Sequence, residues 1–103
     1  MQIQINAADP QSRHADTDMI EREVNDALGR FAERITRVEV HVKDLNAKKG
    51  GVDKQCTIEA RLNGLDPVAV TAEAERLETA VTTAAGKLQR LIDSDLAKRN
   101  ARR

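Results

Sequence analysis

Four stretches of the chain alternate apolar and polar residues, a period of two that is typical of strands with one buried face. Their apolar members are Ile3 and Ile5; Val38, Val40 and Val42; Cys56, Ile58, Ala60 and Leu62; and Val68, Val70 and Ala72. Pro67 opens the fourth stretch, and proline is tolerated at the first residue of a strand. The pattern predicts four strands, each polar on its second face.

Two other stretches repeat apolar residues every three or four positions, which predicts amphipathic helices. The first begins near Asp16, which with Thr17 is a candidate N-cap. Its apolar stripe comprises Ile20, Val24, Ala27, Leu28, Phe31 and Ile35. The second helix begins near Arg76, with a stripe of Leu77, Val81, Ala84, Leu88, Leu91 and Ile92.

The element order is therefore β-α-β-β-β-α. A helical crossover joins parallel strands and short loops join antiparallel ones, so the first strand should run parallel to the second, with the last three forming a meander. Both helices can bury their stripes only on the single apolar face of this sheet. We predict an α+β fold with a four-stranded mixed sheet and two helices packed on one face. A chain of 103 residues forms one domain, here residues 1–98, followed by a flexible basic tail over residues 99–103.

Few residues offer chemistry for catalysis. Cys56 is the only cysteine and falls on the inward side of its strand, where a core role is expected. His14, in a loop, and His41, on a polar strand face, belong to no metal-binding spacing. The pair Gly50-Gly51 lacks the frame of a phosphate-binding loop. These residues predict a protein that is not an enzyme and has no cofactor, metal or small-molecule substrate.

The composition limits the cellular location and the classes of partner that we expect. No apolar run approaches the roughly 20 residues of a membrane span, and the first residues lack the apolar core of a signal peptide. We therefore expect a cytoplasmic protein without a membrane partner. Phe31 is the only aromatic residue, which argues against single-strand binding by base stacking.

The distribution of charge is more informative than its sum, which is zero from 17 basic and 17 acidic residues. Residues 9–33 contain seven acidic and three basic residues, whereas residues 76–103 contain seven basic and three acidic ones. Asp93 and Asp95 interrupt the cations of the last helix. The candidate phosphate-contacting residues are Arg30, Arg34, Arg37, Lys87, Arg90, Lys98 and Arg99.

Two other interpretations stay open at this point. Basic residues are favoured at helix C-termini by the helix dipole, without any ligand. The acidic first helix, or the outer sheet face, could instead bind another protein. That face carries both signs of charge and consists of Glu39, His41, Lys43, Glu59, Arg61, Thr71 and Glu73.

The element order and several short segments resemble the short ribosome hibernation-promoting factors and ribosome-associated inhibitors. The matching segments are Met1-Gln2-Ile3, Phe31 to Val40, Ala72-Glu73 and Lys87-Leu88-Gln89-Arg90. The resemblance covers residues 1 to about 98. It implies a non-enzymatic protein that binds the small ribosomal subunit where mRNA and tRNA would lie. By position, Arg34, Lys87, Arg90 and Arg37 would face 16S rRNA. The sequence gives no indication of self-association.

Overall fold

The computed structural model describes residues 1–7, 14–45 and 53–101. Strands β1 to β4 span Gln2–Ala7, Ile35–Asp44, Lys54–Leu62 and Val68–Ala74, and helices α1 and α2 span His14–Leu28 and Leu77–Ala101. A 3₁₀ turn, Gly29–Phe31, follows α1 directly. The predicted β-α-β-β-β-α order is confirmed.

The four strands lie side by side in the order in which they occur in the chain. β1 runs parallel to β2, while β2, β3 and β4 form an antiparallel meander. The register places Ile5, Val40, Ile58 and Val70 directly opposite one another. One apolar row therefore crosses all four strands on the same face, as the period of two predicted.

Both helices cover this apolar face, which confirms the predicted α+β fold. The side chains that are at most 2% exposed lie on both helices and on the two central strands, β2 and β3. The largest of them are Ile20, Leu28, Ile58, Leu88, Ile92, Val24, Val38, Val40 and Val81. Burial of side chains of this size, each worth roughly 1.5–3 kcal/mol, holds the helices on the sheet.

The helices run in the same direction along the sheet. Thr82 of α2 donates a hydrogen bond to Glu23 of α1, with 3.4 Å between Oγ1 and Oε2. Farther along both helices, Arg30, just beyond α1, forms an ion pair with Asp93 of α2. α2 packs over β3 and β4, so α1 lies on the β1 side of the molecule.

The predicted end of the first helix is wrong. α1 ends at Leu28, and Ile35, which we expected in its apolar stripe, is the first residue of β2. Ile35 pairs with Leu62 and Arg37 pairs with Arg61, so β2 carries one extra residue at this point. This bulge places Ile35 and Val38 on the same buried face at a spacing of three, which mimics helical periodicity.

The predicted start of α1 and one member of the second stripe also need correction. α1 begins at His14, two residues before the expected cap at Asp16 and in what we expected to be a loop. Leu91 is 36% exposed and does not belong to the buried stripe of α2, which instead includes Ala80 and Ala85. α2 continues as a helix through Ala101. The side chains of residues 99–103 lie outside the described residues.

The turn between β3 and β4 has the predicted position and tight geometry. Gly64 adopts a φ of 76°, which is the left-handed region that favours glycine. The Asn63 N–H donates to the carbonyl oxygen of Arg34 at 2.9 Å, which ties the turn to the entry of β2. Pro67 precedes β4, which starts at Val68, and so does not open the strand as expected. The predicted loop at Gly50-Gly51 lies outside the described residues.

Candidate RNA-binding surface

Three cations of α2 lie along one side of that helix. At roughly 100° per residue, Lys87, Arg90 and Lys98 fall within about 80° of one another around the helix axis. All three side chains are exposed. Thr82 and Asp93, which contact α1, lie on the other flank of α2. We call Lys87, Arg90 and Lys98 the basic edge, since they lie on the side of α2 that borders β4.

Lys87 is held against the edge of the sheet. Its Nζ donates to the backbone carbonyl oxygen of Thr71 in β4 at 3.3 Å. An ammonium group has three donors, so this bond leaves two for another acceptor. The contact fixes the position of the charge without neutralising it.

Arg90 lies along the surface of the same helix, one turn farther on. A Cβ built at Gly86 would lie 3.5 Å from a terminal guanidinium nitrogen of Arg90. This is ordinary van der Waals distance, so the guanidinium folds back over Gly86 towards the turn that carries Lys87. Two positive charges therefore lie on adjacent turns of α2.

Lys98 stands at the far end of the basic edge, beside the turn between β3 and β4. With Asp95 it borders a shallow groove whose opposite wall is residues 64–68. The backbone bond between Asn63 and Arg34 brings exposed Arg34 to this same end of the molecule. The structure thus brings Arg34 and Lys98, 64 positions apart in the chain, to one end of the molecule.

Ion pairing divides the predicted cations into two groups. Arg30 is paired with Asp93 and lies over the ring of Phe31, 4.7 Å from its centroid. Arg37 pairs with Glu39 at 2.9 Å and donates to the side-chain oxygen of Gln4. These two guanidinium groups already have partners within the protein.

The other described cations of the predicted set have no such partners. Within the described side chains of residues 1–6, 16–45 and 53–98, no carboxylate forms an ion pair with Arg34, Lys87, Arg90 or Lys98. Arg99 lies outside the described side chains. The unpaired charges are the ones that phosphate groups can neutralise at the lowest cost, because no internal ion pair has to break.

Two of the five acidic residues of α1 lie on the opposite side of the molecule from the basic edge. Asp18 and Glu21 are exposed and occupy the flank of α1 turned away from α2, whereas Glu23 faces α2. We call Asp18 and Glu21 the acidic flank. Asp18 and Glu21 therefore lie on the β1 side of the molecule, whereas Lys87, Arg90 and Lys98 lie on the β4 side, where Glu73 also adds a negative charge.

The described residues offer little for catalysis or metal binding. Cys56 is fully buried, and desolvation raises the pKa of its thiol from 9.0 to about 12. Among the described side chains, no group of three or more His, Cys, Asp or Glu is arranged to hold a metal ion. Neither described helix combines the length and apolar character needed to cross a membrane.

The family model described as "Sigma 54 modulation protein / S30EA ribosomal protein" matches residues 11–100. The chain belongs to this family. The resemblance to hibernation-promoting factors that the sequence suggested is thereby confirmed. A search of curated proteins found no match.

Two solved structures share the fold of this S30EA family member. A ribosomal subunit interface protein from Coxiella burnetii aligns with a TM-score of 0.75 at 17% identity, covering 94% of this chain and 99% of its own. The N-terminal domain of Protein Y from Thermus thermophilus aligns with a TM-score of 0.72 at 20% identity, covering 89% and 96%. At these identities the likeness establishes the shared architecture.

Two features of this surface could not be read from the sequence. The ion pair of Arg30 with Asp93 joins residues 63 positions apart, and no local sequence pattern predicts it. Leu91, 36% exposed, lies on the same side of α2 as Lys87 and Lys98. Its helical spacing from Leu88 suggested a core position, and only its place at the margin of the helix–sheet contact reveals otherwise.

Proposed function

We propose that this S30EA family member binds the small ribosomal subunit through the backbone of 16S rRNA. Bound there, it would inhibit translation by occupying the path of mRNA and tRNA. It would act in the cytoplasm, without catalysis and without a cofactor. The observation that carries this proposal is the basic edge, a row of cations that form no ion pair with the described part of the chain, in a protein of this family.

The chemistry of the basic edge suits duplex and folded RNA. Lys and Arg contacts to phosphates give affinity that does not depend on base sequence, and folded RNA is recognised largely through shape and backbone. The described surface carries no exposed aromatic side chain, since Phe31 is buried. Binding by base stacking therefore has no platform on this surface, and phosphate contacts must supply the affinity.

The charge of the acidic flank supports one orientation on the RNA. Phosphates attract Lys87, Arg90 and Lys98 and repel Asp18 and Glu21, and the two sets lie on opposite sides of the protein. The net charge is zero, so attraction arises only when the basic edge faces the RNA. Such a protein should bind in a defined pose, as a translation inhibitor that blocks a path must do.

The test is equilibrium binding of the purified chain to purified small subunits at several salt concentrations. Lys87→Glu/Arg90→Glu should abolish binding or weaken it by at least about tenfold. It should also lower the slope of log affinity against log salt by about two, since roughly one counterion is released per phosphate contact. Unchanged affinity and slope would refute the assignment of the basic edge.

The matched control changes net charge equally on other surfaces. Arg22 is exposed on α1 and Lys43 on the outer sheet face. Arg22→Glu/Lys43→Glu should bind with nearly the affinity of the wild type. If both double variants lose affinity equally, binding responds to net charge alone. If instead the wild type captures nuclease-resistant partners without ribosomal proteins, the protein-interaction hypothesis replaces this one.

A further inference from the structure

The two edge strands of the sheet differ in how they are protected. β4 is protected from pairing with another chain, because Lys87 donates to the carbonyl oxygen of Thr71 and exposed Glu73 adds a charge to the strand. β1, with the sequence QIQINA, contains neither a charged residue nor a proline, and its register with β2 has no bulge. Charges, prolines and bulges are the usual devices that stop an edge strand from pairing with another chain.

The apolar face of β1, like that of β4, is incompletely covered. Ile3 and Ile5 are half-buried, whereas their register partners Val38 and Val40 on β2 are fully buried. The apolar row that starts at Val70 therefore ends at Ile5, and no further strand covers the outer side of Ile5. A further strand next to β1 would extend both the hydrogen-bond ladder and this row.

We propose that β1 pairs with β1 of a second copy of this chain, so that two four-stranded sheets join into one antiparallel eight-stranded sheet. The two-fold axis runs perpendicular to the sheet and passes midway between Gln4 and Gln4 of the partner subunit. Helices of both copies then lie on the same face. This surface is distinct from the basic edge, so the proposal does not depend on rRNA binding.

The register follows from the side-chain alternation. Residues directly opposite in a sheet share a face, so a two-fold pairing must match even positions with even ones. Several registers satisfy this condition. The register that pairs all of residues 2–6 places Gln4 opposite Gln4 of the partner subunit. It puts Gln2 opposite the partner's Asn6 on the polar face and Ile3 opposite the partner's Ile5 on the apolar face.

The chemistry of β1 favours a second copy as its occupant. Amide side chains meet amide side chains, which both donate and accept hydrogen bonds, and no charge opposes a like charge. Six residues span only about 20 Å, so the contact between the two β1 strands buries less area than the standard interface of roughly 1,600 Å². The dimer should therefore be weak and depend on protein concentration.

Cross-linking tests both the contact and its register. In the proposed dimer, Cβ atoms of the two Gln4 residues lie about 5 Å apart, within disulfide reach, whereas the two Gln2 residues lie about 13 Å apart. Gln4→Cys should form disulfide-linked dimers with diamide, which takes up the two electrons and two protons of the thiols. Gln2→Cys, also exposed, is the matched control and should form at least about tenfold fewer. Equal yields would overturn the register.

Charge variants test the same register without oxidation. Gln2→Lys/Asn6→Lys opposes like charges across the joint and should lower the association constant by roughly tenfold, while Gln2→Glu/Asn6→Lys should raise it several-fold. Sedimentation equilibrium at concentrations up to about 1 mM measures both. A wild type that stays monomeric throughout, or variants that change in the same direction, would overturn the proposal.

The proposed rRNA binding and the proposed dimer can be refuted independently of each other. Gln2→Lys/Asn6→Lys should bind small subunits as the wild type does, and Lys87→Glu/Arg90→Glu should dimerise as the wild type does. Association lost with the second variant and kept in the first would place the contact on the basic edge and refute pairing through β1.

Discussion

Cys56 offers a quantitative test of the core, because it is the only thiol of the chain. It lies on β3 opposite Val42 and Ala72, with 0% of its surface exposed. Burial raises the pKa of the thiol from 9.0 to about 12. The thiolate is the reactive form, so its fraction at pH 8 falls from about one tenth to about one in ten thousand. Labelling of the native protein should be slower by about a thousandfold, before any steric protection is counted.

The assay is the rate of reaction with a coloured disulfide reagent at pH 8, in buffer and in urea. The unfolded chain should react as a free thiol does. The matched control, Cys56→Ala/Thr57→Cys, moves the thiol by one position to the partly exposed outer sheet face, where it should react much faster than native Cys56. Native wild-type protein that reacts within tenfold of the unfolded chain would refute the burial of β3 described here.

The same thiol predicts how stability changes at high pH. The unfolded thiol loses its proton near pH 9 and the native thiol only near pH 12, so the native state binds more protons between these values. This contribution to stability is complete below pH 9 and declines as pH rises towards 12, by at most about 1.4 kcal/mol per unit. Urea unfolding at two alkaline pH values, compared with Cys56→Ala, isolates the effect. An equal loss in both proteins would contradict it.

Two further predictions concern the turn and the cations at the same end of the molecule. Gly64→Ala should lower the free energy of unfolding by about 1–2 kcal/mol in a urea titration, because its φ of 76° strains any residue with a Cβ. Arg34→Ala should weaken small-subunit binding more than Arg37→Ala does, because Arg37 already pairs with Glu39. Equal losses of affinity would show that internal ion pairing does not select the RNA contacts.

Much of the fold could be predicted from the sequence because each strand has only one buried face. The alternation at Val38, Val40 and Val42 identifies a strand directly, and connection lengths then decide which strands run parallel. The end of α1 could not be found in this way. The bulge before Arg37 gives Ile35 and Val38 a helical spacing inside a strand, and periodicity cannot separate the two cases.

The site was less predictable than the fold, for a physical reason. Whether a cation is available to RNA depends on which carboxylate lies beside it, and that neighbour can come from a distant segment. Arg30 and Arg90 have equal charge in the sequence, yet only Arg30 meets a carboxylate, that of Asp93, within the described residues. Selecting among seven candidates therefore required the packing of α1 against α2.

The parallel orientation of the helices explains how one set of acids and one set of cations come to lie on opposite flanks of a neutral chain. Their inner flanks meet through Glu23 with Thr82 and Arg30 with Asp93, and in the second contact two opposite charges neutralise each other within the protein. Asp18 and Glu21 lie on the outer flank of α1, and Lys87 and Lys98 lie on the outer flank of α2, so these two sets are separated by the width of the sheet. α1 carries five acids and one base, whereas the described side chains of α2 carry three of each. The lateral asymmetry on α2 therefore comes from where its charges lie around the helix and not from an excess of bases. Under the proposed binding to rRNA, a chain of zero net charge would gain little from long-range attraction and would derive its affinity from a few contacts, so reversing two of them should suffice to remove it.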